Sequence, residues 1–389
     1  MPKKSKKITT FFIINHLAFF VSHRLPIAVE LLEKGNVVGL IVGKSASKKM
    51  DREAKKIISE HDIEIHEINF SSSGLNPFKE IIGLMQMIKV LKFSDPDIVH
   101  CASPKGIIMG GISSLFYPPK AIVFAISGMG HAFSGANGTL GKILQFVYLL
   151  LTKLAFKHRN KKIIVQNKDD LDLCLKNKLC AENELELIKG SGIKTKLFED
   201  VDLSSKENII LFPARLLKDK GFNEFIKAAI TLNKKYKNWK FFLAGTDDYE
   251  SPNSISRDKI NQLRKLSFLK FLGHTKNIDD YFKRASIVCL PSYREGMPKA
   301  LLEAQAAGCP VVTTDTVGCR ESILDNQTGF LVPLYNSSEI ARKLEKLILD
   351  DHLREKMGKK GIEFASNFEE SLIISKILDI YNALLNLEQ

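Results

Sequence analysis

The reading of this chain turns on one stretch, Val288-Cys289-Leu290-Pro291-Ser292-Tyr293-Arg294-Glu295-Gly296-Met297-Pro298-Lys299-Ala300-Leu301-Leu302-Glu303. Its apolar start ends a buried strand, and Ser292-Tyr293-Arg294 makes a loop. Glu295-Gly296-Met297-Pro298 then opens a helix running to about Ala307. Pro298 suits a first helical turn, where a missing N–H costs nothing. Gly296 lets the backbone approach a ligand, and the N–H groups of Met297, Lys299, Ala300 and Leu301 are expected to point at it from the positive end of the helix. A pyrophosphate fits such a site.

The same strand–loop–helix rhythm runs outward in both directions. Asn208–Phe212, Lys240–Ala244, Leu269–Leu272, Ser286–Leu290, Val311–Thr313 and Gly329–Val332 read as strands, with helical spacing between most of them. Toward the N-terminus the pattern occurs a second time. Thr9–Ile14, Val37–Val42, Ile63–Ile68, Asp97–His100, Ala121–Ala125 and Lys162–Val165 are strand-like, and Leu25–Glu33, Pro77–Phe93 and Leu140–His158 have helical spacing. Alternating β and α predicts parallel sheets covered by helices on both faces. The expected fold is α/β, with two doubly wound, Rossmann-like domains facing a cleft and their ligands at the carboxyl ends of the strands. Expected boundaries are 1–190, 191–367 and a C-terminal helix at 368–389 that packs back on the first domain, the linker lying near Lys189-Gly190-Ser191-Gly192-Ile193.

Size and composition agree. A chain of 389 residues is too long for one ordinary core and suits two domains. With 44% apolar and 26% charged residues it reads as a soluble globular protein, and no run is long and apolar enough for a membrane span. Lys3, Lys4, Lys6 and Lys7 precede Phe11-Phe12-Ile13-Ile14, but Asn15 and His16 interrupt the apolar run, so a basic tail leading into a buried strand is expected rather than a secretory signal. The six cysteines have neither CxxC pairing nor ligand spacing and read as reduced, mostly buried thiols of a cytoplasmic protein, without zinc. Charge is lopsided: residues 1–180 carry 26 Lys and Arg against 14 Asp and Glu, a balance of +12, whereas residues 181–389 carry 31 against 30. The first half is therefore expected to face something anionic. It has no zinc finger, RNA-recognition signature or aromatic–basic interleaving, so nucleic acid is not the expected partner.

Glu295 sits before the predicted helix, where it can accept hydrogen bonds from sugar hydroxyls. Glu303 lies about one and a half turns in, within reach of a ribose diol. These are separate tasks, unlike the paired carboxylates of glycoside hydrolysis. The spacing Glu295–Glu303 matches the E-x7-E signature of retaining GT-B glycosyltransferases, and the chain resembles glycosyltransferase family 4. Pro291-Ser292-Tyr293-Arg294-Glu295-Gly296, Leu302-Glu303-Ala304, Gly308-Cys309-Pro310-Val311-Val312 and Thr328-Gly329-Phe330-Leu331-Val332 agree with that family. Ala214-Arg215-Leu216-Leu217-Lys218-Asp219-Lys220-Gly221 resembles its R-x4-K-G loop.

The resemblance implies that Arg215 and Lys220 clamp the donor diphosphate, where two fixed cations stabilise charge as it develops. Gly245-Thr246 and Gly273-His274 end strands at the same sheet edge and are expected to line the nucleotide pocket. The family retains configuration and needs no essential metal. No convincing metal-binding Asp-x-Asp lies at a strand end; Asp95-Pro96-Asp97 has the spelling but precedes a strand and reads as a turn, so no metal and no cofactor are expected. The implied donor is a UDP-sugar, with an N-acetylhexosamine expected. A GT-B-like UDP-sugar epimerase is the alternative on the same scaffold.

The first half supplies the acceptor side. Asn15, after the first strand, is expected to meet the donor, while His16, His23, Arg24 and Lys105 are expected to meet the acceptor; Arg24 reads equally as a solvated charge. Ser127-Gly128-Met129-Gly130-His131-Ala132-Phe133 resembles the Gly-x-Gly loop of enzymes that glycosylate polyprenyl-diphosphate sugars in making bacterial surface glycans, which places His131 as a catalytic or sugar-contacting residue. Leu140–Arg159 is apolar nearly all round, with Lys142, Lys153, Lys157, His158 and Arg159 bracketing it. It reads as an interfacial helix on an anionic bilayer. The expectation is a cytoplasmic enzyme, peripheral on the inner face of the plasma membrane, acting on a lipid-linked saccharide.

Overall fold

The computed structural model describes residues 7–44, 48–71, 77–129, 139–247, 249, 251, 253–275 and 277–386. The chain divides into two compact units, Met1–Ser191 with Ser371–Gln389, and Gly192–Glu370.

In the first unit a parallel sheet forms from β1 (Thr9–Ile14), β2 (Val37–Lys44), β3 (Ile63–Ser71), β4 (Ile98–Ala102), β5 (Ala121–Ile126), β6 (Lys161–Val165) and β7 (Leu185–Leu187). Their order is β3-β2-β1-β4-β5-β6-β7. Near-continuous apolar runs are what strands covered on both faces require, and β4 and β5 are buried along their whole length. Alternation in β1 splits the core. Phe12 and Ile14 pack with Leu17, Phe20 and Leu31, and with Ile373, Ile377 and Tyr381 of the C-terminal helix. Phe11 and Ile13 pack with Met87, Leu91, Met109 and Phe156 on the opposite face.

The second unit has β8 (Glu207–Phe212), β9 (Lys240–Ala244), β10 (Leu269–Gly273), β11 (Ala285–Leu290), β12 (Val311–Thr314) and β13 (Gly329–Val332), in the order β10-β9-β8-β11-β12-β13. Its core centres on Phe212, Phe222, Phe225 and Phe241, all essentially inaccessible. In both sheets the first strand lies beside the fourth, and the order reverses between them. That reversal opens a crevice at the carboxyl ends where the two loops diverge, which is the usual ligand position of such sheets. It brings together the loops after β1 and β4 in one unit, and those after β8 and β11 in the other.

Several details differ from expectation. The fourth strand begins at Ile98; Asp97 instead uses its carboxylate to receive the Thr9 N–H and the Lys120 ammonium. Asp95 has φ +42°, in keeping with a turn. Strand β7 was not expected, and the predicted Leu140–His158 helix ends at Ala155.

Candidate functional site

Gly221 and Gly318 set the geometry of the crevice in the second unit. After β8 the chain makes a tight turn, Lys218–Lys220, closed by Gly221 at φ +74°. A Cβ there would lie 2.1 Å from the Pro291 carbonyl oxygen, so glycine is what lets the β8 loop press against the β11 loop. Gly318 does the same from the β12 loop, where a Cβ would sit 2.4 Å from the carbonyl oxygens of both Glu295 and Gly296. Gly245 presses in turn on Ala214, where a Cβ would lie 1.9 Å from the Ala214 carbonyl oxygen. Hydrogen bonds complete the stitching. Tyr293 N–H donates to the Asp219 carbonyl (2.8 Å), Glu295 N–H to Val317 (3.1 Å) and Leu216 N–H to Thr246 (3.0 Å).

Within this frame the Lys220 ammonium donates to the Glu295 carboxylate at 2.6 Å, both side chains being about four-fifths buried. Arg215 lies exposed on the same loop as Lys220. The helix that follows is Lys299–Ala306, and Pro298 is its N-cap in an extended conformation rather than its first helical residue. Leu301 donates its N–H to the Pro298 carbonyl (3.0 Å) and so is not available to an anion. The first-turn N–H groups of Lys299 and Ala300 keep that role. Met297 contributes backbone only, since its side chain is in the core.

Glu303, one turn further on, keeps 22% of its side-chain surface exposed. Burial pushes its carboxyl up to about 7, the Lys299 ammonium 3.9 Å away opposing and Asp279 and Glu370 adding to the rise. Gly273, at φ +67°, bridges to Gly245, and His274 beyond it is exposed. These residues therefore share one sheet edge with Arg215, Lys220 and Glu295.

Tyr293 and Glu224 belong to this site although the sequence did not single them out. The Tyr293 hydroxyl donates to the Glu224 carboxylate at 3.0 Å, and burial with that neighbouring charge raises the phenol's pKa. Glu224 is 8% exposed in the first turn of the Phe222–Asn233 helix. The available signal was an acid at a helix start beside a glycine turn.

In the first unit, Asn15 joins the loops after β1 and β4. Its side-chain oxygen accepts from Gly106 N–H (3.0 Å) and the Ser103 hydroxyl (2.7 Å). His16 caps the Leu17–His23 helix, its Nδ1 accepting from Phe19 N–H (3.2 Å). The His23 ring stacks on Phe19 with centroids 4.4 Å apart. Lys105 pairs with Glu80 at 2.8 Å. Arg24 is not a solvated charge: it is 3% exposed. His131 lies outside the described residues.

Two helices of this unit turn apolar stripes outward. On Thr139–Ala155, Ile143, Leu144, Phe146, Val147 and Leu150 are exposed; on Pro77–Ser94, so are Phe78, Ile81, Ile82 and Met85. Both helices pack on Pro104–Phe116, whose last residue is itself 68% exposed. Lys79, Lys89, Lys92, Lys142, Lys153 and Lys157 are exposed around them. His158 is not part of that basic rim, for it is buried with its ring between the Pro119 and Asn160 carbonyls. Among the described residues no helix is long and apolar enough to cross a membrane.

Two Rossmann-like sheets, each with a crevice at its order reversal, define the GT-B architecture. Known proteins agree. The family profile for glycosyl transferases group 1 matches residues 193–364, and that for glycosyl transferase 4-like proteins matches residues 12–167. The N,N'-diacetylbacillosaminyl-diphospho-undecaprenol alpha-1,3-N-acetylgalactosaminyltransferase of Campylobacter jejuni is 28% identical over 385 residues, 95% of this chain and 97% of that protein. The capsular polysaccharide biosynthesis glycosyltransferase CapM of Staphylococcus aureus is 25% identical, covering 94% of this chain and 96% of that one. Among solved structures, Anabaena HepE in complex with UDP and glucose superposes with a TM-score of 0.76 over 97% of this chain and all of that one, at 17% identity. The chain belongs to the group 1, family 4 glycosyltransferases and is a transferase enzyme.

Proposed function

We propose that the protein transfers a sugar, an N-acetylhexosamine, from a UDP-sugar to a lipid-linked saccharide, with retention of configuration and without a metal. The observation that carries this reading is the Lys220–Glu295 pair, held at the order reversal of the second sheet beside the start of the Lys299–Ala306 helix. A cation and a helix N-terminus on one crevice suit a diphosphate. The name of the Campylobacter relative, an N-acetylgalactosaminyltransferase acting on a diphospho-undecaprenol-linked sugar, supports the choice of substrates.

In this mechanism the Lys299 and Ala300 N–H groups, Arg215 and Lys220 receive the diphosphate, and Glu303 accepts from the ribose diol. On donor binding Lys220 shifts from Glu295 to phosphate oxygen, which frees Glu295 to accept from sugar hydroxyls. The bond from the anomeric carbon to phosphate oxygen breaks, and the acceptor oxygen bonds to the same face of that carbon. The acceptor's proton passes to the departing phosphate oxygen. Fixed cations stabilise the charge developing there, which is why transfer is expected to persist in EDTA.

The outward stripes on Thr139–Ala155 and Pro77–Ser94, rimmed by lysines, support docking on the anionic inner face of the plasma membrane. The test is a transfer assay across UDP-, GDP- and dTDP-sugars with a lipid-diphosphate saccharide acceptor, in EDTA, alongside flotation with anionic vesicles. Turnover that strictly needs Mg²⁺ counts against the metal-free step. Epimerised free sugar in the absence of acceptor supports the isomerase alternative, and no flotation at low salt removes the membrane role.

A further inference from the structure

Lys161 and Lys105 are shielded cations of the first unit with an acid beside them, Glu184 and Glu80 respectively. Arg24 has none. It is 3% exposed, at the junction of the Leu17–His23 and Leu25–Glu33 helices. One guanidinium nitrogen, Nη1, donates to the His23 carbonyl at 2.8 Å and reaches the Ser191 hydroxyl at 3.4 Å, while Nε meets no acceptor among the described residues. The adjoining buried groups do not compensate it. His100 and Tyr381 bond each other at 2.6 Å, burial holding the imidazole neutral and the phenol protonated. Burial also lowers Arg24 itself to about 10, with the nearby Tyr381 opposing.

A second donor converges on the same hydroxyl. Gln166 Nε2, on a residue 5% exposed, lies 3.4 Å from Ser191 Oγ. Gln166 follows β6 and Ser191 follows β7 by a few residues, so both stand beyond the carboxyl ends of the sheet, on the side where these sheets hold ligands. Beyond the His23 carbonyl and the Phe19 ring, whose centroid lies 5.9 Å from the guanidinium carbon, the cation and the amide share one weak acceptor at long range, and a buried charge facing no anion is costly unless something anionic completes it.

We propose that Arg24, with Gln166 and Ser191 beside it, is a phosphate subsite of the first unit, completed by an oxygen of a substrate diphosphate. The subsite rests on the transfer reading for the source of that diphosphate, since both the nucleotide sugar and the lipid-linked acceptor carry one. The phosphate chemistry itself does not depend on that reading.

Inorganic pyrophosphate is the probe, used on the full chain carrying Arg215→Ala and Lys220→Ala to silence the other anion site. Pyrophosphate is expected to raise the melting temperature of this chain, and adding Arg24→Met is expected to abolish the rise. Without ligand, the Arg24→Met chain should melt no lower than its parent, because an uncompensated buried charge has been removed. A lower melting temperature together with an unchanged pyrophosphate response would show a structural arginine and overturn the proposal. With Arg215 and Lys220 intact, Arg24→Met separates the two sources. A tenfold or greater rise in KM for the lipid-diphosphate acceptor, with UDP-sugar hydrolysis unaffected, assigns the subsite to the acceptor; the reverse assigns it to the donor. No change in either also overturns it. Because the melting experiment uses neither sugar nor acceptor, failure of the transfer reading would leave its result standing.

Discussion

Replacing Glu303 with glutamine separates what burial costs this residue from what its charge does. Its carboxyl is carried from the usual 4.5 to about 7, chiefly because burial disfavours the charged form. A carboxyl raised in the folded state binds its proton more tightly there than in the unfolded chain. The stability this contributes is complete below pH 4.5 and is lost as pH rises through about 7. At about 1.4 kcal/mol per pH unit, the loss amounts to about 3 kcal/mol. That is an upper bound, since 22% of the side chain still meets water. Glutamine keeps the shape without the charge, so Glu303→Gln should be more stable than the native chain by about 1–3 kcal/mol at pH 8 and match it near pH 4.5. Donor binding should move the opposite way. If Glu303 binds the ribose as proposed, only its carboxylate can accept from both hydroxyls, so UDP affinity of the native chain should fall about tenfold per pH unit below 7. The glutamine variant should bind UDP about 10- to 100-fold more weakly at pH 8 and lose that slope. Urea melts and titration calorimetry between pH 5.5 and 8 read both quantities. A variant less stable than the native chain at pH 8 would refute the burial cost, and a UDP affinity flat across that range would refute the ribose role.

Three further substitutions probe the same unit. Lys220→Ala leaves the Glu295 carboxylate without its partner at 2.6 Å and should lower kcat about 10²- to 10³-fold; a steady-state rate within threefold of native would remove Lys220 from the charge-stabilising role. Tyr293→Phe strips the hydroxyl from the largely buried Glu224 and should cost about 1–2 kcal/mol in a urea melt. Lys206 donates to the Phe282 carbonyl (2.9 Å) and the Ala307 carbonyl (2.6 Å), closing the ends of two helices. Lys206→Met should therefore cost about 2 kcal/mol of stability with KM for donor unchanged, and a raised KM at native stability would contradict a purely structural role.

Strand positions were legible because a parallel strand is covered on both faces and must be apolar along its length, as Ala121–Ile126 is. Leu185–Leu187 escaped because three residues, Leu-Glu-Leu, at the edge of a sheet carry neither run nor period. Sheet order was a different problem. Lys220 and Glu295 are 75 residues apart, and no local periodicity makes them neighbours. They meet because β8 lies beside β11, a pairing set by the whole of the second core. The motif resemblance supplied that adjacency from outside the chain's own physics, which is why it served where one family pattern spans both loops. Sequence alone leaves Arg24 open between an acceptor contact and a solvated charge. That residue's burial comes from Ser191, 167 positions on, and from the C-terminal helix that carries Tyr381. Met297 and Pro298 make the complementary point at short range. The spelling announced a helix start correctly, yet which backbone groups stay open depended on cap geometry: Pro298 sits outside the helix and its carbonyl takes the Leu301 N–H. A sequence pattern can locate an anion-binding loop, but the donors that remain for the anion are counted only after the fold has claimed its own.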